Sequence, residues 1–234
     1  TVRTAYITHP DCHAHDTGPG HPEHAGRLYA IEDQFVASGL DTVLRYIDAP
    51  PVSDEQLLRV HPQRYIESIR AAIPESGYER LDPDTVISPK SLSAAYRAAG
   101  AVVAAVDLVM GGDVDSAFCG VRPPGHHAES TRSMGFCLFD NIAVGAAHAL
   151  ETFGLERVAI MDFDVHHGNG TEEIIRQLLP GVDKSIVRTP FTVGELVSTR
   201  YRPWLDETDC ENVFFASTPG YGPRRLATIK SVGG

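Results

Sequence analysis

Residues 162–170 read Asp-Phe-Asp-Val-His-His-Gly-Asn-Gly. Two carboxylates and two imidazoles follow directly on a short apolar run, Arg157–Met161. In an extended segment alternate side chains share a face. Asp162, Asp164 and His166 are therefore expected to point the same way. Gly168 and Gly170 mark a sharp turn into the next element. A capped helix terminus accounts for one Asp and one His, but buried charges in this number need partners. A carboxylate oxygen beside an imidazole nitrogen is a donor set for a divalent ion. Zn²⁺ suits it first, and Fe²⁺ and Co²⁺ use the same ligand types.

A second segment, Arg122-Pro-Pro-Gly-His126-His127-Ala-Glu129, also follows a strand pattern, Asp115–Val121. It is expected to end at the same rim. Neighbouring side chains on an extended backbone diverge, so His126 and His127 are not expected to share one ion. Imidazole titrates near neutrality, and acid–base work beside a metal is the better use for them.

These groups need a scaffold to hold them. The chain has 234 residues and 25.4 kDa, with 42% apolar and 22% charged residues. That is enough for one domain with a substantial core, and residues 1–234 show no internal repeat or linker. The net charge is −11 and the pI about 5.4. No direct nucleic-acid contact is expected from so acidic a chain. A cationic small molecule or Lys-rich peptide is compatible with it. The four cysteines form no CxxC pair, and no signal pattern opens the chain, so reduced thiols and a cytoplasmic setting are expected. The longest apolar run, Ala98–Gly112, contains Asp107 and is short for a membrane span, so no membrane association is expected.

The periodicities predict strands at Thr4–Thr8, Asp115–Val121, Arg157–Met161 and Asn212–Ser217. Helices are predicted at Glu23–Ser38, at Glu55–Val60 behind an Asp54 cap, at His61–Ile73 and at Ser91–Met110. Two more follow Asp140 and Gly170. Asp11–His24, Pro74–Pro89 and Arg122–Phe139 read as loops, and Pro180–Glu211 as an excursion from the sheet. Alternating helices and short apolar strands indicate a parallel α/β sheet flanked by helices.

The motifs Arg122-Pro-Pro-Gly-His126-His127-Ala, Gly135-Phe136-Cys137, Asp140-Asn141 and Asp162-x-Asp164-x-His166-His167-Gly-Asn169-Gly-Thr171 closely resemble the zinc-dependent histone deacetylase family. That family includes acetylpolyamine amidohydrolase-like and acetoin-utilisation-type members. His21-Pro22-Glu23 with Arg27, and Val60-His61 before Tyr65, resemble it too. The resemblance runs from about Tyr6 to Thr171. It implies an arginase-like parallel sheet and hydrolysis of an acetyl-lysine peptide or acetylated polyamine. It puts Asp164 and His166 on the metal and makes His127 the general base and acid. His126 becomes its partner, with Asp162 orienting His126 and Asn169 orienting His127. Gly135 and Phe136 would line the tunnel for the acyl-lysine stem. A second copy of the chain is an expected partner.

The family also carries a third ligand, an Asp at a Gly-Phe-Asp-like strand end, and a Tyr after a Gly-Gly turn. Neither pattern occurs in Thr171–Gly234; Tyr201 and Tyr221 stand in no matching motif, and Gly233-Gly234 has no Tyr after it. The C-terminal portion of the family domain is thus expected to lie outside these 234 residues. A second reading follows, of a weakly active or inactive relative that binds acylated lysine or polyamine, or serves as a partner subunit.

Overall fold

The computed structural model describes residues 3–218; Tyr221 and Gly233-Gly234 lie outside the described residues. The chain opens with strand β1 (Thr4–Thr8), helix α1 (Pro10–Ala14) and helix α2 (Gly26–Ser38), then a 3₁₀ turn and β2 (Leu44–Asp48). Helices α3 (Asp54–Val60) and α4 (Gln63–Ala72) lead to the two-residue strands β3 (Glu79–Arg80) and β4 (Val86–Ile87). The long helix α5 (Ser91–Met110) precedes β5 (Ser116–Cys119). After the His-Gly-Pro loop come α6 (Asn141–Phe153), β6 (Val158–Asp162) and α7 (Asn169–Arg176). Strands β7 (Gly181–Arg188) and β8 (Val193–Arg200), helix α8 (Asp209–Asn212) and β9 (Val213–Ser217) complete the described chain.

β1 pairs in parallel with β2 and β5, giving the order β2-β1-β5, and β6 pairs in parallel with β9. Parallel neighbours need crossovers; here they run through helices, with the β7–β8 hairpin also inserted between β6 and β9. The fold is α/β, as the alternation of patterns indicates. Both parallel pairs end at the same kind of rim, where ligands collect in open α/β sheets.

The core is set by helix faces. α5 is rich in alanine, and Ala94, Ala95, Ala98, Ala99, Ala101 and Val103 are buried. Small side chains let α6 approach closely, and Gly145 of α6 sits against Val102. Ile66, Ile69, Leu138, Phe139, Val144, Leu150 and Phe215 fill the space around this helix pair. Each such side chain, fully buried, contributes roughly 1.5–3 kcal/mol. By length and composition α5 could cross a membrane, yet its alanine face packs on α6, α1, β1 and β5.

Several boundaries differ from the sequence reading. The Asp11–His24 loop contains α1, which His9 caps by accepting from Asp11 N. Ser53, not Asp54, caps α3, in a reciprocal capping box with Gln56. Pro74–Pro89 holds the β3–β4 pair, with Val86 and Ile87 buried. Pro180–Glu211 is indeed an excursion, since β7 and β8 form an exposed antiparallel hairpin of their own.

Candidate active site

Two loops meet at the carboxyl ends of β5 and β6. They are joined by main chain first: Gly170 N and Thr171 N donate to His126 O at 3.0 and 3.2 Å. This approach requires glycine at 170, because a Cβ there would stand 2.5 Å from the His127 carbonyl carbon. The Gly168-Asn169-Gly170 turn thus seats α7 on the His126-His127 segment.

That seating aligns two imidazole–acceptor pairs. His126 Nδ1 donates to Asp162 Oδ2 at 2.9 Å, and His127 Nδ1 donates to Asn169 Oδ1 at 2.6 Å. The two rings stand 4.0 Å apart, tilted by 45°. Divergence of adjacent side chains was the expectation, and it does not hold. Residues 120–128 are loop rather than strand, so the two-residue alternation does not apply.

The two imidazoles are tuned in opposite directions. Burial disfavours the cation at His126, but the Asp162 hydrogen bond and charge more than offset it and raise its pKa. Burial lowers the pKa of His127, and the Asn169 amide, carrying no charge, only partly opposes that. Neutral and charged acceptors thus separate two otherwise similar rings.

The expectation that Asp162, Asp164 and His166 share a face holds only in part. β6 ends at Asp162, so Asp164 and His166 lie in the turn beyond it. Asp162 faces His126, while Asp164 and His166 face each other, with His166 Nδ1 3.0 Å from Asp164 Oδ1. Partial burial raises the Asp164 pKa, but hydrogen bonds from the His166 backbone and ring outweigh this and lower it. His166 lies 6.0 Å from His127, ring centre to ring centre. His167 turns away to Glu172, at 2.5 Å.

An imidazole nitrogen and a carboxylate oxygen are donor types that a small divalent ion takes, once the His166 Nδ1 proton is given up. Two donors each about 2.0–2.1 Å from a tetrahedral zinc stand roughly 3.3 Å apart, close to the separation of His166 Nδ1 and Asp164 Oδ1. Both side chains are open to solvent. Among the described residues no group of three His, Cys, Asp or Glu is arranged to hold a metal ion.

Gly135 lies against the His127 ring, and Phe136 follows it in the chain. Both have left-handed backbones, Gly135 at φ 56° and Phe136 at φ 71°. Phe136 is a strained position for a side chain of that size. It is held by its N–H, which donates to Thr85 Oγ1 at 3.1 Å, and by edge contact with the His21 ring. A cavity of about 350 Å³ between the ends of β5 and β6 is lined in part by the site's own His126, Asp162 and Asp164.

Behind the site lies a buried ion pair that spacing alone gave no reason to suspect. The Arg122 guanidinium forks onto both oxygens of Glu23, at 2.5 and 2.8 Å, and also donates to Cys12 O. His15 and Thr17 complete this network. It fixes the start of the segment that leads to His126. A second buried link joins Asp140, the cap of α6, to the Thr171 hydroxyl at 2.7 Å. Sequence reading identified the Asp140 cap but not its role in holding α7. Tyr201 sits past β8, beside Arg202, whose N–H donates to Gln177 O.

Paired imidazoles and an Asp/His pair thus stand at the strand ends of a parallel α/β sheet, and such groups are suited to acid–base work. The comparisons narrow this to a family. The histone deacetylase domain profile matches residues 21–188. A histone deacetylase-like amidohydrolase of Pseudomonas aeruginosa is 42% identical over 191 residues, covering 74% of this chain and 50% of that protein. The human polyamine deacetylase HDAC10 is 34% identical over 197 residues, covering 82% of this chain and 28% of that one. The crystal structure of the HDA15 HD domain superposes with a TM-score of 0.71 at 34% identity, over 76% of this chain and 51% of that one. The chain belongs to the histone deacetylase domain family. It spans about half the length of the bacterial relative.

Proposed function

We propose that this chain carries the acid–base half of a zinc-dependent amide hydrolase that removes acetyl groups from acetyl-lysine or acetylated amines. The observation that supports this most directly is the pair of imidazoles 4.0 Å apart, one on a carboxylate and one on an amide. His127, the ring of lowered pKa, takes a proton from water and later delivers it to the leaving amine. Asn169 holds its Nδ1–H, which leaves Nε2 free to do so. His126, kept toward its cationic form by Asp162, holds the water and the developing negative charge.

Asp164 and His166 would hold the metal, Zn²⁺ in the first instance. Bound there, a metal supplies Lewis-acid polarisation of the acyl carbonyl and acidifies water. A further donor would come from outside residues 3–218. Gly135, against the His127 ring, and Phe136 after it would line the way for a methylene stem with its charge removed. The human relative's name includes polyamines, which brings acetylated polyamines in alongside acetyl-lysine peptides as substrates. The proposal places the protein in a reducing, cytoplasmic setting, with a second copy as its macromolecular partner.

The test is hydrolysis of an acetyl-lysine peptide and an acetylated polyamine by this chain extended with a family-like C-terminal segment and loaded with zinc. Amine release is expected, and His127→Ala should lower it about 10²–10⁴-fold. Equal turnover with and without the His127 ring would overturn the assignment.

A further inference from the structure

His61 is fully buried and has no part in the acid–base chemistry. It follows α3, and both ring nitrogens reach main chain far away in sequence. Nδ1 lies 3.1 Å from Ser130 O, and Nε2 lies 2.9 Å from Asp140 N. A carbonyl only accepts and a backbone N–H only donates. The ring must then carry its proton on Nδ1 and leave Nε2 bare. The imidazolium form would set one N–H against another, and burial pushes the pKa of His61 down to about 4.

The two atoms joined by this ring belong to the segments that frame the histidine pair. Ser130 lies three residues past His127. Its N–H and hydroxyl donate to the Glu173 carboxylate of α7 at 2.9 and 3.1 Å. α7 begins at Asn169, the acceptor for His127. Asp140 caps α6 and accepts from Thr171, whose N–H binds His126 O. One buried ring therefore ties the far side of the His126-His127 loop to the Asp140 cap of α6, which in turn holds Thr171 of α7, the helix that aligns that loop.

We propose that His61, as its neutral Nδ1–H tautomer, is a positioning residue that fixes His127 against Asn169 through Ser130 and Asp140. The proposal rests on the reading of His126 and His127 as the acid–base pair. His61 itself touches neither substrate nor metal in that reading. Its ring also packs 5.2 Å from Tyr65 and 5.4 Å from Phe139. The test must therefore separate hydrogen bonding from volume.

The experiment is long-range ¹H–¹⁵N correlation on the metal-free chain with ¹⁵N-labelled histidine, combined with amide exchange. At neutral pH His61 should show a protonated Nδ1 and a bare Nε2; an Nε2–H tautomer overturns the proposal without any variant. His61→Phe fills the volume and removes both hydrogen bonds. His61→Asn leaves a void but keeps a donor near Ser130 O. Positioning predicts that the His127 ring signals stay near their wild-type places in His61→Asn and move in His61→Phe, where Asp140 N–H exchange should rise at least tenfold. The reverse order, with Phe preserving the His127 signals, assigns His61 to packing alone and overturns the proposal. Should His61→Phe fail to fold, His61→Gln replaces it, keeping an acceptor for Asp140 and losing the donor; unmoved His127 signals there are equally fatal. A hydrolysis assay indifferent to His127→Ala sinks the functional reading instead, and leaves these spectra as they are.

Discussion

Gly135 packs its α-carbon against the His127 ring so closely that a Cβ at 135 would stand 2.6 Å from His127 Cγ. The site thus depends on a residue with no side chain, in a backbone conformation, φ 56°, that favours glycine. Gly135→Ala combines left-handed strain with a clash against the proposed base. It should cost about 1–3 kcal/mol in stability and move the His127 ring off Asn169. Denaturant unfolding, read with the His127 ring resonances, checks both. An Ala variant as stable as wild type with unmoved resonances contradicts this account.

Asp164 and His166 are expected to hold metal together. Zinc content after dialysis, measured by mass spectrometry on the extended chain, should fall at least tenfold in Asp164→Ala and in His166→Ala. Their neighbour His167, which faces Glu172, should be replaceable without loss. Stoichiometric metal in both of the first two variants removes them from the ligand set.

Glu23 is fully buried and neutralises Arg122 through a two-point contact. Removing one partner of a buried pair leaves an uncompensated charge, at a cost of about 3–5 kcal/mol. Glu23→Ala should therefore lower the unfolding free energy by that order. Glu23→Gln keeps the shape but not the charge, and should fall between the two. A loss below about 1 kcal/mol in Glu23→Ala shows that Arg122 finds another partner.

Acidification should destabilise the fold through His15 and His61. Burial lowers both pKa values from 6.5 to about 4. The unfolded chain then binds protons that the folded one refuses, so stability falls as pH drops from about 6.5 toward 4. The loss amounts to roughly 3 kcal/mol for each ring at most. Asp140 works the other way, because burial raises its pKa to about 7 and the folded state binds a proton first. Asp140→Asn removes that opposing contribution, and its stability should drop more steeply than wild type between pH 6.5 and 4.5. Chemical denaturation across this range decides it, and parallel slopes would show that Asp140 stays ionised in the folded protein.

Local chemistry made much of the protein legible in its sequence. The Ser91–Met110 helix follows from its apolar, alanine-rich composition and the Gly111-Gly112 stop, and its bounds match. The strand at Thr4–Thr8 and the cap at Asp140 follow from short-range preferences in the same way. The motif residues around 126 and 162 announced paired imidazoles and an Asp/His donor set because such charge density has no use in a core. Alternation failed beyond Asp162 because the strand stops there, and a turn obeys its own geometry.

Other relations depend on chain brought from far away. His127 finds Asn169 because glycine at 170 admits the His127 backbone, and His61 finds Ser130 and Asp140 across about 70 residues of sequence. The short motifs His21-Pro22-Glu23 and Val60-His61 mark Glu23 and His61 but not their partners, since each becomes specific only when burial strips away water and forces it to choose them. Residue types determined which chemistry the chain can carry. The packing of α3, α6 and α7 around one loop decided which imidazole faces a carboxylate and which an amide, and so which is suited to act as the base.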